Sequence, residues 1–414
     1  MKLILLSTLV LFLNHTHAKD YIIKVNDKES LAHQNELSIK KHLGRDYYLV
    51  ETNEQSLESL RARKSSWLLS YEEDQETELY TTDPLYSLQW GHQNLGNNEP
   101  RRNGGTIPIQ GVAGADSNSE KAWKITKGSK KIIVAVIDTG VDYKHEDLKD
   151  NIWVNTQELN GKKGVDDDNN GYVDDIYGYN FSKNTSDPMD DNKHGTHVAG
   201  IIGASHNNVG IKGVMADVQI MSVKYMDKKG RGTLSKAIEA ILYAIDNGAK
   251  VLNNSWGARK HSQALEEIIQ SSLNDGVLFV AAAGNSYSNN DEYPKWPANY
   301  KSPNLISVAA YNPEDRLAGF SCYGSESVHL AAPGRNIYST APKDKYIVLS
   351  GTSMAAPFVS GALGLALSLE KNLTATEIQE LIISSSVKVD HLKERVKSGG
   401  RLDIYEFLKS ITIF

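Results

Sequence analysis

Apolar and polar positions fall into two regimes along this chain. Up to about residue 80, short alternating stretches stand among dense charge. Their spacing predicts a strand over 21–25, a helix over roughly 30–42, a strand over 47–51, a helix over 56–64 and a strand over 67–71. Further on the runs become solidly apolar. Six consecutive apolar residues, 132–137, are all β-branched except Ala135. Such a run predicts a strand covered on both faces, as inside a parallel sheet. Similar runs at 250–252 and from 277 predict further buried strands, the latter breaking at Ala-Gly-Asn before Ser286. After Ser353, small and apolar residues continue to about Glu370 and predict a helix through the middle of the fold.

Composition sharpens the boundary between the regimes. Residues 19–80 hold no proline and one glycine, Gly44, whereas all eleven prolines lie at or beyond Pro84. The chain is therefore divided into a leader at 1–18, a small α+β unit at 19–80 and one large α/β domain at 81–414. The leader reading rests on one lysine, a largely apolar run over 3–13 and small residues up to Ala18, the form of a secretory signal peptide. It predicts export, to the periplasm or outside the cell, with no membrane anchor. A single cysteine, Cys322, excludes an internal disulfide and is read as a buried or half-buried structural thiol. The formal net charge of −6 comes without a basic stripe, which argues against nucleic acid as a partner. A monomer is expected.

Three strings carry chemistry, in the order acid, imidazole, alcohol. Asp138 ends the first apolar run in IDTGVD, where open parallel sheets present reacting groups. His194 opens HGTHVAG and is suited to general-base work near neutral pH. Ser353 lies in GTSMAAP, between a glycine turn and the start of a helix, whose N-terminus favours developing negative charge. Asp138, His194 and Asn285 each have a plainer reading alone: a helix-cap or turn acid, a surface or packing histidine, a turn asparagine. His194 and His197 also suggest a metal pair, but no third ligand at zinc spacing accompanies them.

Taken together, the strings closely resemble those of the subtilisin-like serine proteases (subtilases), over roughly residues 83–403. The resemblance implies a three-layer domain, a mostly parallel sheet flanked by helices, preceded by an α+β prodomain that acts as folding aid and inhibitor. It implies peptide-bond hydrolysis through an acyl-enzyme on Ser353, with His194 as base and Asp138 orienting it. Asn285, in AAAGNS, would donate to the oxyanion. Ser255, Trp256 and Gly257 would line one side of an extended-substrate cleft, and Gly230, Arg231 and Gly232 the other. Lys295, before the string WPANY, would fall near the base of the primary pocket and favour an acidic or polar residue there. Polypeptides are the implied substrates. A catalytically silent binding module and a folding factor are the rival classes.

Calcium is the expected cofactor, at two places. The string at 166–175 offers oxygens from Asp166, Asp168, Asn170, the Tyr172 carbonyl and Asp174 or Asp175 around a glycine, without the closing glutamate of an EF-hand. The second rests on the resemblance. It maps onto the Ser205 carbonyl, the Asn207 side chain, the carbonyls of Val209 and Ile211, and the carboxylates of Asp147 and Asp83.

Overall fold

The computed structural model describes residues 18–63, 66–74, 83–102 and 104–412, in two compact units, Met1–Tyr80 and Thr81–Phe414. Except for Ala18, the leader reading falls outside the described residues. No helix among them is long and apolar enough to cross a membrane.

The smaller unit is a four-stranded antiparallel sheet in the order Ser38–Gly44, Tyr47–Thr52, Lys19–Val25, Leu68–Glu73. Its core joins Tyr21, Ile23, Val25 and Val50 of the sheet to Leu57 and Leu60 of helix Glu54–Ala62. One expectation fails. The helix expected over 30–42 is a short helix, Lys28–Ala32, followed by the strand Ser38–Gly44. Every residue of that strand is exposed, so no period-2 pattern marked it. Its conformation comes from pairing with Tyr47–Thr52 across a turn in which Gly44 and Arg45 both take positive φ, +118° and +51°.

The larger unit is built on nine strands. From one edge they run Val387–Lys388, Gly400–Arg401, Leu330–Pro333, Leu305–Tyr311, Leu278–Ala282, Val251–Asn254, Gly128–Asp138, Asp217–Lys224 and Gly178–Asn180. All neighbours are parallel except the first pair. Helices cover both faces. Val134 and Val136 pack into the core containing helices His194–Gly203 and Thr352–Ser368, while Ala135 and Ile137 pack against helices Leu234–Asp246 and Gln263–Ser271. This is the three-layer α/β arrangement that the resemblance implies, with strands buried on both faces as the apolar runs predict. A strand buried on both faces alternates between two cores rather than between core and water.

The strand Gly128–Asp138 is where the chain changes direction across the sheet. Strands formed just after it lie on one side, and those from Val251 onward lie on the other. Crevices open at the carboxyl ends of strands at such a point. Helix Thr352–Ser368 starts near this crevice and is buried along most of its length. Close packing needs its small residues: a Cβ on Gly361 would come within 2.6 Å of Val214.

Candidate active site

Asp138 is the last residue of its strand and is fully buried, while the His194 side chain is 29 % exposed. The imidazole Nδ1 lies 2.8 and 2.9 Å from the two carboxylate oxygens of Asp138. Carboxylates only accept, so Nδ1 carries the proton and Nε2 is left to receive one. The contact requires close approach of strand end and helix start. A Cβ on Gly195 would meet the Gly140 carbonyl oxygen at 2.1 Å and the Asp138 side chain at 3.2 Å. Burial works against the charged imidazolium, but the Asp138 charge and hydrogen bond, with Asp190 adding to them, hold the His194 pKa above its ordinary value.

Asp190, which the motif reading passed over, ties the two halves of this pair together. Its carboxylate accepts from Thr139 Oγ1, from the amides of Asn192 and Lys193, and from the amide and hydroxyl of Thr196. Thr139 Oγ1 in turn accepts from the Gly195 amide at 3.0 Å. The residues following Asp138 and His194 thus share one buried acceptor. The signal was in the sequence, an acid four positions before His194. Lys224, also buried, donates to the Thr139 carbonyl and to Asp191. His197 faces away from His194: its Nε2 lies 3.1 and 3.2 Å from the Ile337 and Ile347 carbonyls, and burial pushes its pKa down to about 3.

Ser353 is the second residue of its helix, whose cap, Gly351, offers no side chain to the first amides. Its N–H is among those a helix leaves without an internal partner. Ser353 Oγ donates to the Ser255 carbonyl at 3.1 Å, so it must rotate to face an imidazole. A network holds the helix start in place. Ser360 Oγ donates to Asn253, Asn253 Nδ2 to Ser255 Oγ, and Ser255 Oγ to the Ser353 carbonyl.

Asn285 follows the strand Leu278–Ala282 in an exposed loop. Its Oδ1 accepts from the amide and hydroxyl of Thr352, at 2.9 and 3.0 Å. An amide N–H can only donate, so the side-chain oxygen faces Thr352 and Nδ2 is directed elsewhere. Asn285 and Ser353 line the same cavity, with Ser255, Trp256, Gly257 and Lys295. Arg259 lines it too and was missed, because nothing in the motif strings marks it. Behind Gly284 of this wall sits Cys322, fully buried. Burial raises its thiol pKa, but hydrogen bonds from Ser286 and Ser288 outweigh that and lower it.

The segment with Gly230, Arg231 and Gly232 is a tight turn held by Asp227, which accepts from the amides of Lys229 and Arg231. A Cβ on Gly232 would lie 2.7 Å from the Tyr225 ring, and that ring meets Trp256 edge-on at 5.3 Å. The turn and the Trp256 wall are thereby linked through one aromatic contact.

The acidic string closes on a partner outside it. Asp168 and Asp175 lie with Glu158 so that one carboxylate oxygen of each falls within 4.8 Å of the others. Glu158 was missed because it comes from the preceding helix, Thr156–Asn160, eight residues before the string. Asp166 and Asp174 spend their oxygens on loop amides, those of Asn170 and Gly171 and that of Gly164. The Asn170 side chain bridges Asp168 and Asp175 and accepts from the Tyr172 amide. This all-oxygen set suits a hard divalent cation.

At the second place, Asp147 is fully buried, with the Tyr346 hydroxyl beside its carboxylate and no well-formed hydrogen bond to its Oδ1 among the described residues. Burial, with Asp83 adding to it against the Ile211 amide, pushes the Asp147 carboxyl up to about 7. The loop over 205–211 runs between the two acids. Ser205 N donates to the Asp147 carbonyl and Ile211 N to its side chain, while the amides of Asn207 and Asn208 donate to Asp83. Asn207 Oδ1 accepts from Val209 N. A buried carboxylate with an open lone pair beside a second acid fits a cation by the same chemistry.

Comparison with known proteins agrees with this geometry. The model of the Subtilase family matches residues 129–400. The chain is 38% identical over 296 residues to Subtilisin-like protease 1 of Plasmodium berghei (strain Anka), covering 67% of this chain and 49% of that protein. It is 40% identical over 291 residues to Subtilisin-like protease 1 of Plasmodium vivax, covering 66% and 46%. It is also 40% identical over 288 residues to the Thermophilic serine proteinase of Bacillus sp. (strain AK1), covering 69% and 64%. The matched part thus spans about half the length of the Plasmodium relatives.

Proposed function

The chain belongs to the subtilase family, and on that premise we propose that it is an exported serine endopeptidase that hydrolyses peptide bonds in proteins. One observation carries the reading: a buried carboxylate at a strand end holds an accessible imidazole by Nδ1, leaving Nε2 as a base.

In the proposed reaction Ser353 Oγ turns from the Ser255 carbonyl and attacks the scissile carbonyl carbon. His194 Nε2 takes the hydroxyl proton. Asp138 keeps the imidazole in the Nδ1–H tautomer and stabilises the imidazolium. Negative charge on the carbonyl oxygen is met by the Ser353 N–H at the helix start and by Asn285 Nδ2. His194 then protonates the leaving amine, the acyl group stays on Ser353, and water activated by the same imidazole releases it.

The unit before residue 80 acts in this reading as a prodomain, folding aid and inhibitor, removed on maturation. Calcium belongs to the same reading. Glu158, Asp168 and Asp175 would hold one ion, and Asp147, Asp83 and the 205–211 loop another, which would clamp the start of the mature chain. Bound there, calcium supplies charge neutralisation and rigidity, not chemistry.

The test is labelling with a serine-directed fluorophosphonate, followed by peptide hydrolysis. Labelling and hydrolysis by the matured protein, both lost in Ser353→Ala, are the expected results. A matured wild-type protein that takes no label would remove the enzyme reading and favour a silent binding module.

A further inference from the structure

We propose that the cavity beside Ser353 selects a substrate with an acidic side chain on the residue whose carbonyl is attacked, and that Lys295 and Arg259 are its charge partners. The proposal rests on the protease reading above and specifies its substrate class.

The cavity has a volume of about 320 Å³ and contains both Ser353 and Asn285, so a side chain next to the attacked carbonyl enters it. Among the described residues, Lys295 and Arg259 are the only charged groups lining it, and no carboxylate does. Lys295 is half-buried, its Cγ lying 3.5 Å from where a Cβ on Gly284 would sit. The stem is thus laid against the same wall that carries Asn285.

Arg259 is exposed at the mouth of this cavity; elsewhere in the unit most cations drawn toward the interior are matched with acids, with half-buried Arg395 stacked on the Tyr323 ring instead. Lys224 is paired with Asp191, Arg335 with Glu99 and Arg401 with Asp315. Among the described residues, neither Lys295 nor Arg259 has an ion-pair partner. Two cations facing one concave site repel each other and lower the cost of bringing in an anion. A carboxylate entering there gains charge-assisted hydrogen bonds that its amide isostere cannot match. An aromatic side chain would offer Lys295 only a cation–π contact, weaker than a charge-assisted hydrogen bond.

The sequence supplies an independent match. Five of the seven residues over 72–78, shortly before the boundary at residues 80 and 81, are carboxylates: Glu72 and Glu73 at the end of the strand Leu68–Glu73, then Asp74, Glu76 and Glu78. A maturing enzyme with this preference would find its acceptable residues there.

The experiment compares peptides that differ only at the residue before the scissile bond, carrying Glu, Gln, Phe or Lys. We expect kcat/KM for Glu to exceed that for Gln by about tenfold at low ionic strength, with the ratio shrinking as salt is added. Arg259→Ala lowers the ratio, and Lys295→Glu inverts the preference so that Lys exceeds Gln. Each ratio is internal to one protein, so a variant that folds in reduced yield cannot mimic the result. A wild-type enzyme that prefers Phe and does not distinguish Glu from Gln overturns the proposal, as does a Glu:Gln ratio unchanged in both variants. N-terminal sequencing of the matured protein adds a second readout. A new terminus following Glu or Asp supports the proposal, and one following an apolar residue counts against it. Fluorophosphonate labelling keeps the two readings apart, because a labelled enzyme with a flat ratio loses only the pocket assignment.

Discussion

Ser255 and Ser353 exchange hydrogen bonds in both directions: Ser255 Oγ donates to the Ser353 carbonyl at 2.9 Å, and Ser353 Oγ donates to the Ser255 carbonyl at 3.1 Å. The first bond answers a defect in the helix. Pro357 lies inside helix Thr352–Ser368 and has no N–H to give the carbonyl four residues back, which is that of Ser353. Ser255 fills the vacancy, tying the nucleophile's backbone to the strand edge.

Removing that donor should loosen the site. Ser255→Ala, made in a Ser353→Ala background to prevent self-digestion, should lose about 1–3 kcal/mol by leaving a carbonyl unsatisfied. Urea unfolding measures this, and a midpoint equal to that of the parent would show that water satisfies the carbonyl instead.

Activity should fall on acidification from a higher pH than an ordinary histidine would give. In the proposed reaction His194 must be neutral to accept the Ser353 proton, and Asp138 and Asp190 together, against burial, hold its pKa above the usual 6.5. Raised basicity moves the acid limb of the profile upward. Asp190→Asn removes one anion and should shift the limb to lower pH, whereas Asp138→Asn should cost about 10⁴ in kcat through the wrong tautomer. The kcat/KM profile from pH 5 to 9 decides, and an unmoved limb in Asp190→Asn would contradict the electrostatic account.

Asn285→Ala should reduce kcat by about 10²–10³ with little change in KM, because in the proposed reaction its Nδ2 meets charge that exists only after attack. Steady-state kinetics separate the two constants. A loss confined to KM would make Asn285 a ground-state contact.

Lys193 precedes the His194 helix with φ at +127°, a region that suits glycine. Lys193→Gly should raise stability by about 1 kcal/mol as strain is relieved. Thermal unfolding in the Ser353→Ala background tests this, and a lower Tm would mean that the lysine side chain contributes more than its backbone costs.

Chelation should destabilise the large unit, and more so at pH 8 than at pH 5. Without an ion, the folded pKa of Asp147, about 7, exceeds the unfolded value of 3.8. Folding then favours the protonated form, and its stabilising contribution is lost as pH rises through 7. A bound cation reverses this by favouring the carboxylate. The Tm difference between calcium and EDTA should therefore widen with pH, and Asp147→Asn should flatten it. Equal differences at both pH values would remove Asp147 from the site.

How much was legible depended on how local each feature is. Asp138, His194 and Ser353 stand out in the sequence because each sits in a fixed local setting: a strand end, a loop entering a helix, a glycine-capped helix start; the structure joins the first two. Glu158 was not, because its partnership with Asp168 and Asp175 is made by folding a preceding helix back onto the loop. Arg259 was not, because lining a cavity leaves no periodicity. The strand Ser38–Gly44 was misread because wholly exposed residues carry no apolar pattern and its conformation is set by its neighbour.

The sequence by itself determined which strands are buried on both faces, and it singled out the acid, the imidazole and the alcohol on which the proposed acyl transfer rests. These follow from hydrophobic periodicity and from motifs only a few residues long. The tertiary structure alone decided that Asp190 serves both the Asp138 turn and the His194 helix, that Ser255 supplies the donor Pro357 cannot, and that Lys295 and Arg259 line one cavity. Those are contacts between residues distant in the chain, and distance in space is set by the packing of the sheet, which no local pattern encodes.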